Sequence, residues 1–61
     1  MSAFQLRVYD GRDVRETVGP YPLDAAEPDA EWYVNHDGAT KVEIVRQADG
    51  EVVKTVPAVI P

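Results

Sequence analysis

Residues 3–9, Ala3-Phe4-Gln5-Leu6-Arg7-Val8-Tyr9, followed by Asp10-Gly11, decide the fold. Phe4, Leu6 and Val8 alternate with Gln5, Arg7 and Tyr9. Side chains of an extended chain point to opposite faces with period two, so the segment predicts a half-buried strand. Asp-Gly after such a run is a strong hairpin signal. The returning strand, about residues 12–18, places Val14 and Val18 on one face.

The same grammar recurs from Lys41 onward. Val42 and Ile44 precede Ala48-Asp49-Gly50, and Val52 to Val56 follows. A three-residue loop pairs Gln47 with Glu51 and Val45 with Val53, and gathers Val42, Ile44, Val52 and Val56 on one face. A two-residue Asp-Gly turn scatters those valines over both faces, so the core pattern favours the longer loop. Applied to the first hairpin, the same choice sets Arg7 opposite Asp13 and Leu6 opposite Val14.

Between the hairpins, Gly19-Pro20-Tyr21-Pro22 ends the first one, because prolines cannot serve a central strand. A helix follows, and its start reads two ways. Asp24-Ala25-Ala26-Glu27 has the form of a capping box with Asp24 at the N-cap, which leaves Pro28 one position too deep. Alternatively the regular helix begins at Pro28, with Asp29 and Glu31 complementing its dipole. We take a distorted capped turn followed by regular helix over about 28–36, ended by Asp37-Gly38. Ala26, Ala30, Tyr33 and Val34 form the stripe that packs on the sheet.

The predicted class is therefore α+β: ββαββ, a four-stranded, mainly antiparallel sheet with one helix on one face. A single domain spans residues 1–61, with hairpin 3–18, helix about 24–36, hairpin 41–56 and an apolar tail 57–61. The pattern leaves strand order open.

Composition narrows the chemistry. Sixty-one residues without cysteine exclude disulfides, thiolate zinc sites and a cysteine nucleophile. A chain this short buries only about 60% of the surface it exposes unfolded, so a tight core or self-association is expected. No apolar run approaches the ~20 residues of a membrane span, and the N-terminus lacks a signal-peptide pattern. Starting at Met1 suggests a complete small protein, and the absence of cysteine suggests the cytoplasm. Net charge is −5. Both hairpin segments balance to zero, so the excess sits in Asp24, Glu27, Asp29, Glu31 and Asp37. That polarity opposes duplex binding, which needs Lys and Arg.

His36-Asp37 is the one pair resembling a catalytic dyad, and no nucleophile elbow accompanies it. A helix-terminal histidine more commonly complements the dipole. The glycines are isolated turn residues, with no phosphate loop. The helix carboxylates lack EF-hand spacing. No catalytic, cofactor or metal residue is assigned.

The candidate partner-binding residues are Trp32, Val45, Val53, Glu27, Asp29 and Glu31. Trp32 is the lone tryptophan, a potential interface anchor that the wheel places at the margin of the core, with a lean toward the core. Val45 and Val53 are expected to be exposed and paired across strands, on a face shared with Gln5, Arg7, Tyr9, Arg15, Thr17, Glu43 and Thr55. Such a face suits sheet-to-sheet dimerisation or a partner. Glu27, Asp29 and Glu31 offer an acidic strip that would mimic phosphates. Arg7, Tyr9 and Arg15 offer a weaker surface for single-stranded nucleic acid. The tail, Pro57-Ala58-Val59-Ile60-Pro61, would lie extended along the domain or a neighbour.

Two stretches resemble known modules. Val18-Gly19-Pro20-Tyr21 with the Ala/Glu-rich helix resembles half of a SPOR repeat, a peptidoglycan-binding module of two helices. Lys41 to Pro57, with Asp49-Gly50-Glu51-Val52-Val53, resembles the terminal hairpin of small FlaG flagellar proteins. Each covers under a third of the chain and they imply different functions, so no residue role is carried over. The expectation is a non-enzymatic, protein-binding regulator that forms a homodimer. The alternative is an acidic inhibitor of a nucleic-acid-handling protein.

Overall fold

Apolar residues at every second position of two segments build the centre of the molecule. In the computed structural model, which describes residues 3–57, β1 (Phe4–Asp10) and β3 (Lys41–Arg46) pair antiparallel at the middle of one sheet. The outer strands are β2 (Asp13–Tyr21) beside β1 and β4 (Val52–Val56) beside β3, giving the order β2-β1-β3-β4. Each pairing is antiparallel. A single helix, α1 (Leu23–His36), connects the hairpins and packs mainly over β1 and β3. The ββαββ order and α+β class are as expected from the sequence.

Phe4, Leu6 and Val8 of β1 and Val42 and Ile44 of β3 point to the helix and are buried, four of them completely. Ala26 and Ala30 of α1 meet them with no exposed surface, and their small side chains let helix and sheet approach closely. Tyr33, Val34, Val18 and Tyr21 pack around this cluster. The expected helix stripe is therefore the one the sheet receives. Each fully buried aliphatic side chain contributes roughly 1.5–3 kcal/mol of transfer free energy.

Local details depart from the sequence reading at the ends of elements. The helix starts at Leu23 and runs unbroken through Pro28, with Pro22 at the N-cap and no side-chain cap. The Asp24 capping box does not form, because the Pro22 carbonyl takes the N–H groups of Ala25 and Ala26 at 3.1 and 2.9 Å. Pro28 lacks the N–H that would reach the Asp24 carbonyl. Asp24 is exposed, where solvent can replace that donor.

The first hairpin turns on Gly11-Arg12, with Asp10 opposite Asp13, and not on a longer loop. Gly11 holds φ 68° and Arg12 does not share it, the pattern of a type II′ turn with glycine first. A register shift then falls between the Tyr9–Val14 and Val8–Glu16 pairs, leaving Arg15 as an extra residue. Arg7 consequently faces Thr17 and Leu6 faces Val18, in place of the predicted Asp13 and Val14. Val14 and Val18 end on opposite faces: Val18 is half-buried against the core and Val14 is exposed opposite Tyr9. β2 also continues through Gly19-Pro20 to Tyr21, which an edge strand tolerates because one side of it needs no donors.

The second hairpin closes with a four-residue loop, Gln47 to Gly50. The Arg46 N–H donates to the Glu51 carbonyl at 2.7 Å, and the Gly50 N–H to the Arg46 carbonyl at 2.8 Å. Gln47 is not paired with Glu51; its N–H extends the β1–β3 ladder to Ala3. Val45 pairs with Val52, while Ile44 pairs with Lys54, so Val53 is the extra residue of a register shift in this hairpin. Val52 thereby leaves the core face predicted for it. Among the described residues no helix is long and apolar enough to cross a membrane.

Candidate interaction surface

The face of the sheet turned away from α1 carries no second layer among the described residues. Its centre is polar and tied together. Arg7 stands directly opposite Glu43, and Tyr9 opposite Lys41. One Glu43 oxygen accepts from Arg7 Nη1 at 3.2 Å and from Tyr9 Oη at 2.7 Å. Lys41 Nζ lies 3.9 Å from the other oxygen and 4.4 Å from the centroid of the Tyr9 ring. Cross-strand neighbours of opposite charge stabilise such a face modestly. Two cations and one carboxylate leave it with a small positive excess.

Around this centre lie apolar residues. Val14 is 48% exposed beyond Tyr9, and Val52 and Val53 are 39% and 38% exposed on β4. Val45, expected to be exposed, is only 4% exposed. It sits on a central strand between Gln5 and Val52, and neighbours on both sides cover a short β-branched side chain. The predicted Val45–Val53 pair is therefore replaced by a buried Val45 beside two exposed valines.

Arg15, expected on this open face, is turned to the helix side by the shift in β2. Its guanidinium pairs with the Asp37 carboxylate and donates to the Asp37 carbonyl at 3.2 Å. Asp37 thus closes the helix end against β2. His36 instead lies against Trp32, ring centroids 6.0 Å apart.

The helix carries the remaining candidates, and it separates them. At 100° per residue, Trp32 stands about 160° from core-facing Ala30, on the outer surface and not at the core margin. It is 50% exposed, with its ring edge-to-face on Tyr33 at 5.4 Å. Glu27 and Glu31 lie on the β4 flank, and Lys54 Nζ pairs with Glu27 at 2.6 Å. Asp29 lies on the other flank beside Tyr21, whose phenol is pushed up by burial first and by Asp29 second. The three carboxylates do not form one strip.

Between α1 and β4 runs a groove of about 340 Å³, lined by Glu31, Val34 and Asn35 from the helix and by Lys54, Val56 and Pro57. It is not legible in the sequence, since it depends on β4 standing at the edge. The Glu43 network was equally hidden, although its four members alternate on two strands. It becomes legible once β1 and β3 are known to pair. Of the proposed apolar tail, residues 58–61 lie outside the described residues.

No protein-family model matches the chain, and neither a curated protein nor a solved structure matches it. The likenesses of Val18–Tyr21 and of Lys41–Pro57 to two families rest on helix-entry and hairpin chemistry alone.

Proposed function

We propose that the chain is a small non-catalytic interaction protein that associates with a second copy of itself through the open face of its sheet. The observation that carries this reading is the uncovered face, where Val14, Val52 and Val53 stand exposed while the opposite face holds the helix and the core. A 61-residue domain has little core to stabilise it, and covering a second face is the general remedy. A chain without cysteine operates equally well in a reducing compartment, and we assign it to the cytoplasm.

Geometry bounds the strength of this contact. Four strands about 4.8 Å apart and about five residues long span roughly 19 by 17 Å. That is well short of the ~800 Å² per partner of a standard interface, so association is weak and concentration-dependent. Light scattering after size exclusion, over a hundredfold concentration range, is expected to show a rise from one chain mass toward two. Replacing Val14 and Val52 together by Lys should hold the protein at one chain mass with its circular dichroism unchanged. A wild-type mass that stays at one chain throughout sinks the proposal.

The acidic-inhibitor reading receives less from the same geometry. Lys54 occupies Glu27, and Asp29 faces away from Glu31. The single-strand reading loses Arg15 to Asp37, and Glu43 offsets Arg7.

A further inference from the structure

β4, like β2, is an outer strand, but it is the less protected of the two. Among the described residues it pairs only with β3, so its outer row of backbone N–H and C=O groups has no ladder partner. Its sequence, Val52-Val53-Lys54-Thr55-Val56, is β-branched at four of five positions. Exposed edges of this kind are templates for another strand unless charge, proline or a covering element protects them. The one charge on β4, Lys54, is turned back to Glu27 on the helix.

The groove opens on the helix side of this same edge. Val34 and Val56 supply apolar walls, Asn35 a polar one, and Glu31 a carboxylate that makes no ion pair among the described residues. A strand added beside β4 would lie along the groove, and its side chains would enter at every second residue. The neighbouring Lys54 is already paired with Glu27, so the local excess is negative. Charge complementarity therefore calls for a basic residue at Glu31 and an apolar one two positions away, between Val34 and Val56.

We propose that the β4 edge and the α1–β4 groove form a strand-addition site for an extended segment of another protein, with one apolar and one basic side chain at alternate positions facing the groove. This site is separate from the open sheet face, and its test does not depend on self-association. The probe is the peptide acetyl-Thr-Val-Thr-Lys-Thr-amide, titrated into ¹⁵N-labelled protein. Saturable amide shifts are expected in β4 and in the last two turns of α1. The same peptide with Glu for Lys should bind at least tenfold more weakly, and Glu31→Lys should reverse that preference. Versions N-methylated at every second residue, in both phases, identify backbone pairing: one phase must abolish binding.

Glu31 is exposed, so its reversal leaves the core intact. Equal binding of the Lys and Glu peptides overturns the proposal. So do shifts confined to β2, or no saturable shift at millimolar peptide. A dimer that the peptide dissociates would place a second copy at the edge and overturn it as well.

Discussion

The two outer strands flank the same core, yet they are protected in opposite ways. β2 has nine residues, two register shifts, a proline and three charged side chains, and only Val18 and Tyr21 reach the core cluster. β4 has five residues, one shift and one charge, and it buries Val56. A strand with that many interruptions cannot present a regular ladder to a neighbour, so β2 is closed to pairing by its own sequence. β4 lacks such defences beyond the extra Val53, and the helix stops short of covering its edge. The difference teaches that hairpins of similar grammar can serve different purposes: one outer strand seals the sheet, the other leaves it open.

If this contrast is right, stability resides in the inner strands and the outer ones are forgiving. Leu6→Ala and Ile44→Ala, both at fully buried sites, should each cost roughly 2–5 kcal/mol. A domain of this size has only about 3–9 kcal/mol in total, so either variant is expected to lose a large share of its stability. Val45→Ala should cost about 2 kcal/mol, and Val53→Ala or Val14→Ala less than about 0.5. Urea denaturation followed by circular dichroism measures all five. A Val53→Ala cost equal to that of Val45→Ala would break the distinction between inner and outer strands.

How much of this was legible follows the same line. The alternation in residues 4–8 and at Val42 and Ile44 specified two strands with a buried face. The stripe Ala26, Ala30, Tyr33 and Val34 specified how the helix lies on them. Those signals are local, repeated and apolar. The shifts at Arg15 and Val53 were not legible, because a bulge is a compromise between the turn and the core that the partner strand helps to set. Asp10-Gly11 signals a turn, but whether glycine comes first or second depends on which register lets Leu6 and Val8 stay inside. Each missed shift moved neighbours to the other face, which is why Val14, Arg15 and Val52 were misplaced together. Among the candidate partner-binding residues, the exposure of Val53 was legible from the alternation, and Trp32, 50% exposed, lies farther from the helix stripe than the core margin expected for it. Val45 failed because the strand order was not legible, and centrality in the sheet is what buries it.

The glycines of the first hairpin test how tightly β2 is laid on β1. A Cβ on Gly19 would sit 3.0 Å from the Phe4 carbonyl oxygen and 3.2 Å from Gln5 Cα, both backbone atoms, and φ there is 142°. A Cβ on Gly11 meets nothing within 4 Å, so only its positive φ opposes substitution. Gly19→Ala should therefore cost roughly 2–3 kcal/mol, combining strain with the displaced strand, against about 1 kcal/mol for Gly11→Ala. Thermal melts of the two variants would decide. Equal costs would mean that β2 lifts off β1 freely, and its role as a fixed seal would fail.

The smallest effect separates the outer strands by pH. Tyr21 on β2 has its phenol raised above the ordinary value, chiefly by burial and then by Asp29. Lys54 on β4 has its ammonium raised by the hydrogen bond to Glu27. Tyr33 on the helix is raised by burial and by Glu16. In each case the folded chain holds its proton more tightly than the unfolded one. Below the unfolded values, near pH 10, both states are protonated and the contribution is fully present. As pH rises past that point the unfolded chain releases protons first and stability falls, until the folded groups titrate as well. Tyr21→Phe should flatten this alkaline decline more than Lys54→Met does, because the half-buried phenol is desolvated and the lysine is exposed. Stability profiles between about pH 9 and 11.5 measure it. A decline that Lys54→Met removes and Tyr21→Phe leaves untouched would place the stronger tie on β4, and would reverse which outer strand is the better anchored.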